Sequence, residues 1–276
     1  MRRRLVALGV LLAALIGLGF AIAGVRDRGS KQPTTTVAAA PKPFRIVFPE
    51  GFTRADMGER VKSVAQIAAQ ERGRTPRLSE AAYLAATSGK RAIPGFGRHP
   101  LEGFLFPATY QFTARTTSAQ LANAQLKAFR KNWSGINLSY ARSKNLTPYD
   151  VLTIASMIEK EAVAPEERPK IARVIYNRLH HRMPLGIDAT VRYGFHVPGT
   201  ESLLESQLNS DNPYNTRKLP GLPPTPIANP GLASIQAAAH PVAGDWLYFV
   251  RKPDKVHHFF TASERAFINY KNAHGF

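Results

Sequence analysis

A run of apolar residues near the N-terminus decides how the rest of this chain can be arranged. Residues 5–24 (LVALGVLLAALIGLGFAIAG) contain no charged or strongly polar side chain, and they follow three consecutive arginines. About 20 apolar residues are what a helix needs to cross the hydrocarbon core of a bilayer. We therefore expect residues 5–24 to form a transmembrane anchor, with residues 1–4 as a cytoplasmic tail.

A cleaved signal peptide is the alternative for this segment, because Ala21-Ile22-Ala23 resembles a cleavage site. Cleaved signals usually have an apolar region of only about 7–15 residues, which favours a retained anchor. Residues 25–43 are small, polar and proline-bearing, as expected of a flexible linker. The expected location is the plasma membrane, single-pass, with the globular part extracytoplasmic.

The chain is strongly basic, with a formal net charge of +18. A positive surface attracts polyanions such as nucleic acid, anionic lipid headgroups or acidic cell-wall polymers. After residue 32, no arginine-rich run or RNA-binding aromatic pattern accompanies the charge, and an extracytoplasmic location also argues against nucleic acid. The chain has no cysteine, and its histidines lack the spacing of a metal site, so we expect neither a metal nor a cofactor.

The hydrophobic patterns and capping signals predict an α+β fold with two globular parts, residues 44–100 and residues 101–276. Thr53 and Thr147 are predicted N-caps, the second followed by Pro148 at the first helical position. Residues 184–231 are rich in proline and glycine and are predicted to be too irregular for helix. The other predicted elements are strands at 44–48 and 103–112, helices beginning at 79, 117 and 167, a hairpin of 247–251 with 257–260, and a closing helix at 263–273.

The helix that begins after Thr147 ends in two carboxylates, Glu159 and Glu161, on either side of Lys160. At about 100° per residue, the two glutamates fall on opposite edges of the buried face, about 160° apart, and the lysine points to water. The two carboxylates therefore cannot act jointly on one bond or one metal ion. Either glutamate could be a half-buried general acid, or both could belong to an ordinary charged helix end. The helical wheel does not distinguish these interpretations, and it does not favour one glutamate over the other.

Several motifs occur together and in a fixed order from about residue 44 to the C-terminus. They are GFLFPATYQF, IASMIEKEA, ARVIYNRL, LGIDATVRYG, NPYNTRKLPGLPPTPIANPG, AAAHP, LYFV and HHFF. With them the chain resembles the endolytic murein transglycosylase family (MltG/YceG-like), membrane-anchored enzymes that cut the glycan strands of peptidoglycan. The resemblance implies that residues 101–276 form the transglycosylase catalytic domain, and that residues 44–100 form a LysM-like glycan-binding module.

In that family the catalytic glutamate is the second of the Glu-Lys-Glu pair, which implies Glu161 here. A single acid suits a lytic transglycosylase, which needs no water as nucleophile. The C6 hydroxyl of the N-acetylmuramyl residue attacks its own anomeric carbon and leaves a 1,6-anhydro end. One carboxyl group protonates the leaving oxygen and then accepts the hydroxyl proton.

The resemblance also implies substrate-binding positions, and the chain departs from the family pattern beside some of them. Gly186 and Ala189 replace a glutamine and a proline of the family, and Arg217 stands where the family usually has tyrosine. These departures keep a non-catalytic alternative open. The implied substrate-binding residues are Asn177, Asp188, Tyr214 and Asn215, with Arg178 as a further residue that could reach the cleft.

Two rival functions stay open. A non-catalytic peptidoglycan-binding scaffold of the wall-synthesis machinery would use the same basic surface with a degenerate cleft. A hydrolase would need a second carboxylate facing Glu161, for which Asp188 is the candidate. The expected partners are peptidoglycan glycan strands and the membrane, with wall-synthesis proteins as further candidates.

Overall fold

Residues 43–73 and 75–275 are described by a computed structural model, and they form a mixed α+β fold of helices and small two-stranded sheets. The predicted tail, the predicted anchor of residues 5–24 and nearly all of the predicted linker lie outside these residues. Within the described ranges, none of the helices has the length and apolar character required to span a bilayer. The elements are β1 (Phe44–Val47), α1 (Arg54–Arg72), α2 (Glu80–Ala86), β2 (Lys90–Ile93), β3 (Gly97–Pro100), β4 (Thr109–Phe112), α3 (Ser118–Trp133), α4 (Ser139–Ser143), α5 (Pro148–Glu161), a 3-10 turn (Pro165–Glu167), α6 (Arg168–His180), α7 (Asp188–Phe195), α8 (Glu205–Leu208), α9 (Leu232–Ala239), β5 (Tyr248–Arg251), β6 (His258–Thr261) and α10 (Glu264–His274).

Threonine capping boxes begin α1, α3 and α5. At Thr53, Thr117 and Thr147 the side chain accepts a bond from the third helical residue, whose own side chain accepts one from the threonine N–H. Each box satisfies two backbone donors that would otherwise lack a partner at the helix start. The predicted starts at Thr53 and Thr147 are confirmed, as is Pro148 in the first turn of α5.

The N-terminal region is joined to the rest of the fold by a shared sheet. β1 pairs antiparallel with β4, in a register that places Phe44 opposite Phe112 and Val47 opposite Thr109. The predicted boundary between residues 100 and 101 therefore falls between two strands of one ladder. The division into a 44–100 module and a 101–276 domain stays a prediction.

Helix α5 lies at the centre of the second half of the fold. Its residues 151–158 are all buried, and it packs against α6 and α9. On α6 the predicted apolar stripe is confirmed at Ile171, Val174 and Ile175, which are buried, whereas Leu179 is half-buried. A central buried helix holds its last turn rigidly, which matters because that turn carries both glutamates.

The prediction of an irregular 184–231 segment is wrong in part, because α7 and α8 lie within it. The stretch that forms α7 (DATVRYGF) contains no proline and one glycine, and it buries Thr190 and Val191. The prolines and glycines that dominate the composition flank α7 instead. Composition averaged over the whole segment therefore concealed a two-turn helix.

Candidate active site

Glu159, the first carboxylate at the end of α5, is held by protein partners. Its Oε2 accepts a hydrogen bond of 2.9 Å from the backbone N–H of Gly231. Its Oε1 lies 3.9 Å from Nη2 of Arg168, and its side chain is only 7% exposed. A carboxylate that is buried and paired in this way has a structural task, because it ties α5 to the start of α6 and α9.

Glu161, the second carboxylate, has a different environment. Within the described part of the chain, its side chain makes no hydrogen bond and no ion pair, although the residue is partly buried. Burial raises the pKa of Glu161 to about 7. Arg251 and Lys160 oppose that rise, and Asp188 adds to it. A partly desolvated, unpaired carboxyl group that titrates near neutrality is what general acid catalysis requires.

The side chains at the end of α5 point in the directions that the helical wheel predicts. Lys160 is exposed, and its Nζ donates a hydrogen bond of 3.3 Å to the backbone oxygen of Gly51. Glu159 faces Gly231, and Glu161 is acted on by Asp188 and by Arg251. The two carboxylates therefore have separate surroundings, as expected of side chains on opposite edges of one helix face.

The β5–β6 hairpin closes one side of the Glu161 site. Nη2 of Arg251, the last residue of β5, donates a hydrogen bond of 3.3 Å to the backbone oxygen of Glu161. His258 lies opposite Arg251 in the hairpin and is held by the buried side chain of Glu167. Glu167 Oε1 accepts a hydrogen bond of 3.0 Å from the backbone N–H of His258, and Glu167 Oε2 lies 2.7 Å from Nδ1 of His258. Because Glu167 follows α5 closely in the chain, this pair fixes the hairpin to the end of the helix that carries Glu161. Neither Arg251 nor Glu167 was expected from the sequence.

Asp188, the first residue of α7, is paired with Arg217. Its Oδ1 lies 2.6 Å from Nη1 of Arg217, and both side chains are about half exposed. The residue that departs from the family pattern at position 217 therefore has a definite partner. The backbone at position 186 favours glycine over the glutamine of the family. Its φ is +67°, and a Cβ there would lie 2.9 Å from Nη1 of Arg178.

Asn215 and Tyr214 lie in the loop that precedes Arg217. Asn215 is fully buried, and its amide nitrogen donates to the backbone oxygens of Leu208 (2.9 Å) and Ser210 (2.8 Å). Its Oδ1 accepts the N–H of Arg217, so the amide organises the loop. Tyr214 is partly buried, and its hydroxyl group lies 2.9 Å from that of Thr225.

Asn177 lies far from Glu161. Its amide nitrogen donates to the backbone oxygens of Gly244 (3.2 Å) and Trp246 (2.9 Å). It lines a cavity of about 700 Å³ together with Asp150, in the first turn of α5. That turn is roughly 16 Å along the helix axis from Glu161. Arg178, the residue after Asn177, donates hydrogen bonds to three backbone oxygens, those of Pro184, Leu185 and Leu247.

Glu102 is a second carboxyl group with a pKa raised to about 7 by burial, and the sequence analysis did not single it out. Its Oε1 accepts bonds from the backbone N–H of Arg54 (3.0 Å) and the amide of Asn229 (2.8 Å). Its Oε2 accepts one from the hydroxyl group of Tyr193 at 3.2 Å. Unlike that of Glu161, this carboxyl group is fully occupied, and it joins the start of α1 to α7 and to the loop before α9.

Comparison with known proteins places these features in a family. A model of the YceG-like family matches residues 29–272. The chain belongs to the YceG-like family. A crystal structure of a yceG-like protein from Listeria monocytogenes is similar, with a TM-score of 0.68, 30% sequence identity, and coverage of 82% of this chain and 76% of that one.

Two curated relatives of this YceG-like chain are named endolytic murein transglycosylase. The relative from Bacillus subtilis is 44% identical over 158 residues, which cover 56% of this chain and 43% of the relative. A relative from Streptococcus pneumoniae is 34% identical over 244 residues, which cover 80% of this chain and 42% of the relative. The chain therefore spans less than half the length of these curated relatives.

Proposed function

We propose that this chain is an endolytic murein transglycosylase that cleaves nascent glycan strands internally, between N-acetylmuramyl and N-acetylglucosaminyl residues. The observation that carries the proposal is the contrast at the end of α5. Glu159 is engaged by Gly231 and Arg168, whereas the Glu161 carboxylate is unpaired among the described residues and has a pKa of about 7. The names of the curated relatives support the same activity.

In the proposed reaction Glu161 acts first as an acid and then as a base. Its carboxyl proton moves to the glycosidic oxygen as the bond to C1 of the muramyl residue breaks. The C6 hydroxyl oxygen of the same residue bonds to C1, and its proton returns to the Glu161 carboxylate. No water is consumed, so a second carboxylate to activate water is not required.

We propose Asp188 and Tyr214 as substrate-binding residues. Asp188 acts on Glu161 electrostatically, and its negative charge favours the protonated acid. Tyr214 offers an aromatic face with a polar tip, a common surface for sugar contacts. Asn177 and Asn215 stay predictions, and their bonds to backbone oxygens favour an indirect role in shaping loops.

The chemistry of the products tests the proposal directly. Purified protein would be incubated with glycan strands, and the new chain ends would be identified by mass spectrometry. Strands that end in 1,6-anhydromuramyl residues are the expected result. New reducing ends would instead indicate a hydrolase, and an absence of cleavage together with strand binding would favour the non-catalytic scaffold.

The pH profile of cleavage should have an alkaline limb near pH 7. The proposed acid must be protonated to start the reaction, so kcat/KM should fall as the pH rises through the pKa of Glu161. An unperturbed glutamate would place that limb near pH 4.5, about 2.5 units lower. A rate that stays constant from pH 6 to pH 9 would contradict the assignment.

We also propose that the chain is anchored in the plasma membrane by residues 5–24, with wall-synthesis proteins as neighbours and a glycan-binding role for the LysM-like region 44–100. The full-length protein should then sediment with membranes and keep an N-terminus that begins at Met1. Mature protein that begins near Gly24 would show instead that the apolar run is a cleaved signal.

A further inference from the structure

Arg251 is a cation at the Glu161 site whose charge is not balanced by the protein. It is exposed at the end of β5, and among the described residues its side chain makes a single hydrogen bond, of 3.3 Å from Nη2 to the backbone oxygen of Glu161. Among the described residues, none supplies a carboxylate within ion-pair distance of it. A guanidinium group has five N–H donors, so most of its hydrogen-bonding capacity is unused.

The other charged groups that act on Glu161 are arranged differently. Asp188 is paired with Arg217 at 2.6 Å, and Lys160 points to water on the other side of α5, where it donates to the backbone oxygen of Gly51. The Glu161 carboxylate cannot serve as the counter-ion in the reactive form of the enzyme, because that form carries a proton on Glu161. The Glu161 site therefore presents one guanidinium group without a carboxylate partner beside the reacting acid when substrate binds.

We propose that Arg251 binds a carboxylate on the 3-O substituent of the muramyl residue that is cleaved. This inference rests on the proposed function and names the substrate class in more detail. A planar guanidinium group matches a carboxylate through two parallel N–H···O bonds. The carboxylate has two possible sources, which are the stem peptide and, on strands without peptide, the lactyl group itself.

The rival explanation is that Arg251 only caps α5. The oxygen of Glu161 is a last-turn carbonyl without a helical partner, and a basic side chain can satisfy such an oxygen. A cap would influence Glu161 equally with every substrate. A carboxylate-binding residue would instead change how the enzyme ranks charged and uncharged substrates.

The test compares kcat/KM for the full-length wild-type enzyme and for Arg251→Gln on matched strands. One preparation carries stem peptides with free carboxylates, and a second carries the same peptides with those carboxylates converted to amides. Wild type should prefer the first by about five- to twentyfold, as expected of a charge-assisted bond in a half-open site. Arg251→Gln should lose that preference, and Arg251→Lys should keep part of it. The ratio within each enzyme cancels any general change in the acidity of Glu161.

A further pair of preparations, peptide-free strands with the lactyl carboxylate either free or amidated, identifies the source of the bound carboxylate. If the enzyme prefers strands with a free lactyl carboxylate and this preference depends on Arg251, the lactyl group is the carboxylate that Arg251 binds. If the preference is confined to peptide-bearing strands, the bound carboxylate belongs to the stem peptide. Lys255→Gln is the matched control, since it removes the same charge from the exposed turn of the same hairpin. It should leave the ratios unchanged.

A wild-type enzyme that cleaves the carboxylated and amidated strands equally well would overturn the inference. So would an Arg251→Gln enzyme that keeps the wild-type ratios on every preparation, since a pure cap predicts that result. If wild type cleaves none of the preparations, the proposed function itself fails, so that the two failures are distinguishable.

Discussion

Glu161→Gln is expected to abolish strand cleavage, with a loss of at least about 10²–10⁴-fold in kcat. The amide of glutamine has nearly the same shape but cannot protonate the leaving oxygen. The folded state should be unaffected, because the Glu161 side chain makes no hydrogen bond or ion pair with the described residues. The rate of formation of anhydro ends and the melting temperature are the two measurements.

Glu159→Gln is the matched control, two positions away on the same helix. The glutamine oxygen can still accept the N–H of Gly231, and only the long 3.9 Å ion pair with Arg168 is lost. We expect substantial activity and a stability loss on the order of 1 kcal/mol. Inactivity of Glu159→Gln with an active Glu161→Gln would reverse the assignment of the acid. Full activity of both variants would remove α5 from the mechanism.

Glu102→Leu is expected to destabilise the fold by roughly 3–5 kcal/mol. The change leaves the first N–H of α1, the amide of Asn229 and the hydroxyl group of Tyr193 without their buried acceptor. Each buried donor that loses its partner costs about 1–3 kcal/mol, and repacking around leucine recovers part of the sum. Denaturant unfolding followed by circular dichroism measures the difference.

The pH dependence of this loss has a definite sign. Burial raises the pKa of Glu102 from 4.5 to about 7 in the folded state, so its stabilising contribution is complete below pH 4.5 and declines as the pH rises through 7. The penalty for Glu102→Leu should therefore be larger at pH 5 than at pH 8. Glu59→Leu, at an exposed position of α1, should change stability by less than about 0.5 kcal/mol. Equal penalties for the two variants would show that Glu102 does not connect the segments as described.

Local signals explain what could be predicted from the sequence. A threonine followed three residues later by an acid or amide begins a helix through contacts within one turn. The N-caps Thr53 and Thr147 could therefore be predicted from the sequence. The hairpin of β5 and β6 is also local and was predicted. The wheel placed Glu159 and Glu161 on separate flanks, but the choice between them depends on Gly231 and Arg168, which only the folded chain brings to Glu159.

The predictions that the sequence could not refine concern residues whose chemistry serves two purposes. An asparagine amide binds sugars and backbone oxygens equally well, so the sequence could not show that Asn215 and Asn177 bond to loops. Glu102 was not singled out because its partners are 48, 91 and 127 positions away along the chain. No periodicity or motif within a short window reports contacts over such separations.

The ladder between β1 and β4 limits how this protein can be rearranged by recombination or by design. A crossover placed between residues 100 and 101 would separate Phe44 from Phe112 and leave an open edge on each fragment. The same cut would separate Glu102 from the first turn of α1. The N-terminal region is therefore not an interchangeable cassette, and chimaeras that keep a native interior should place their junction before Phe44.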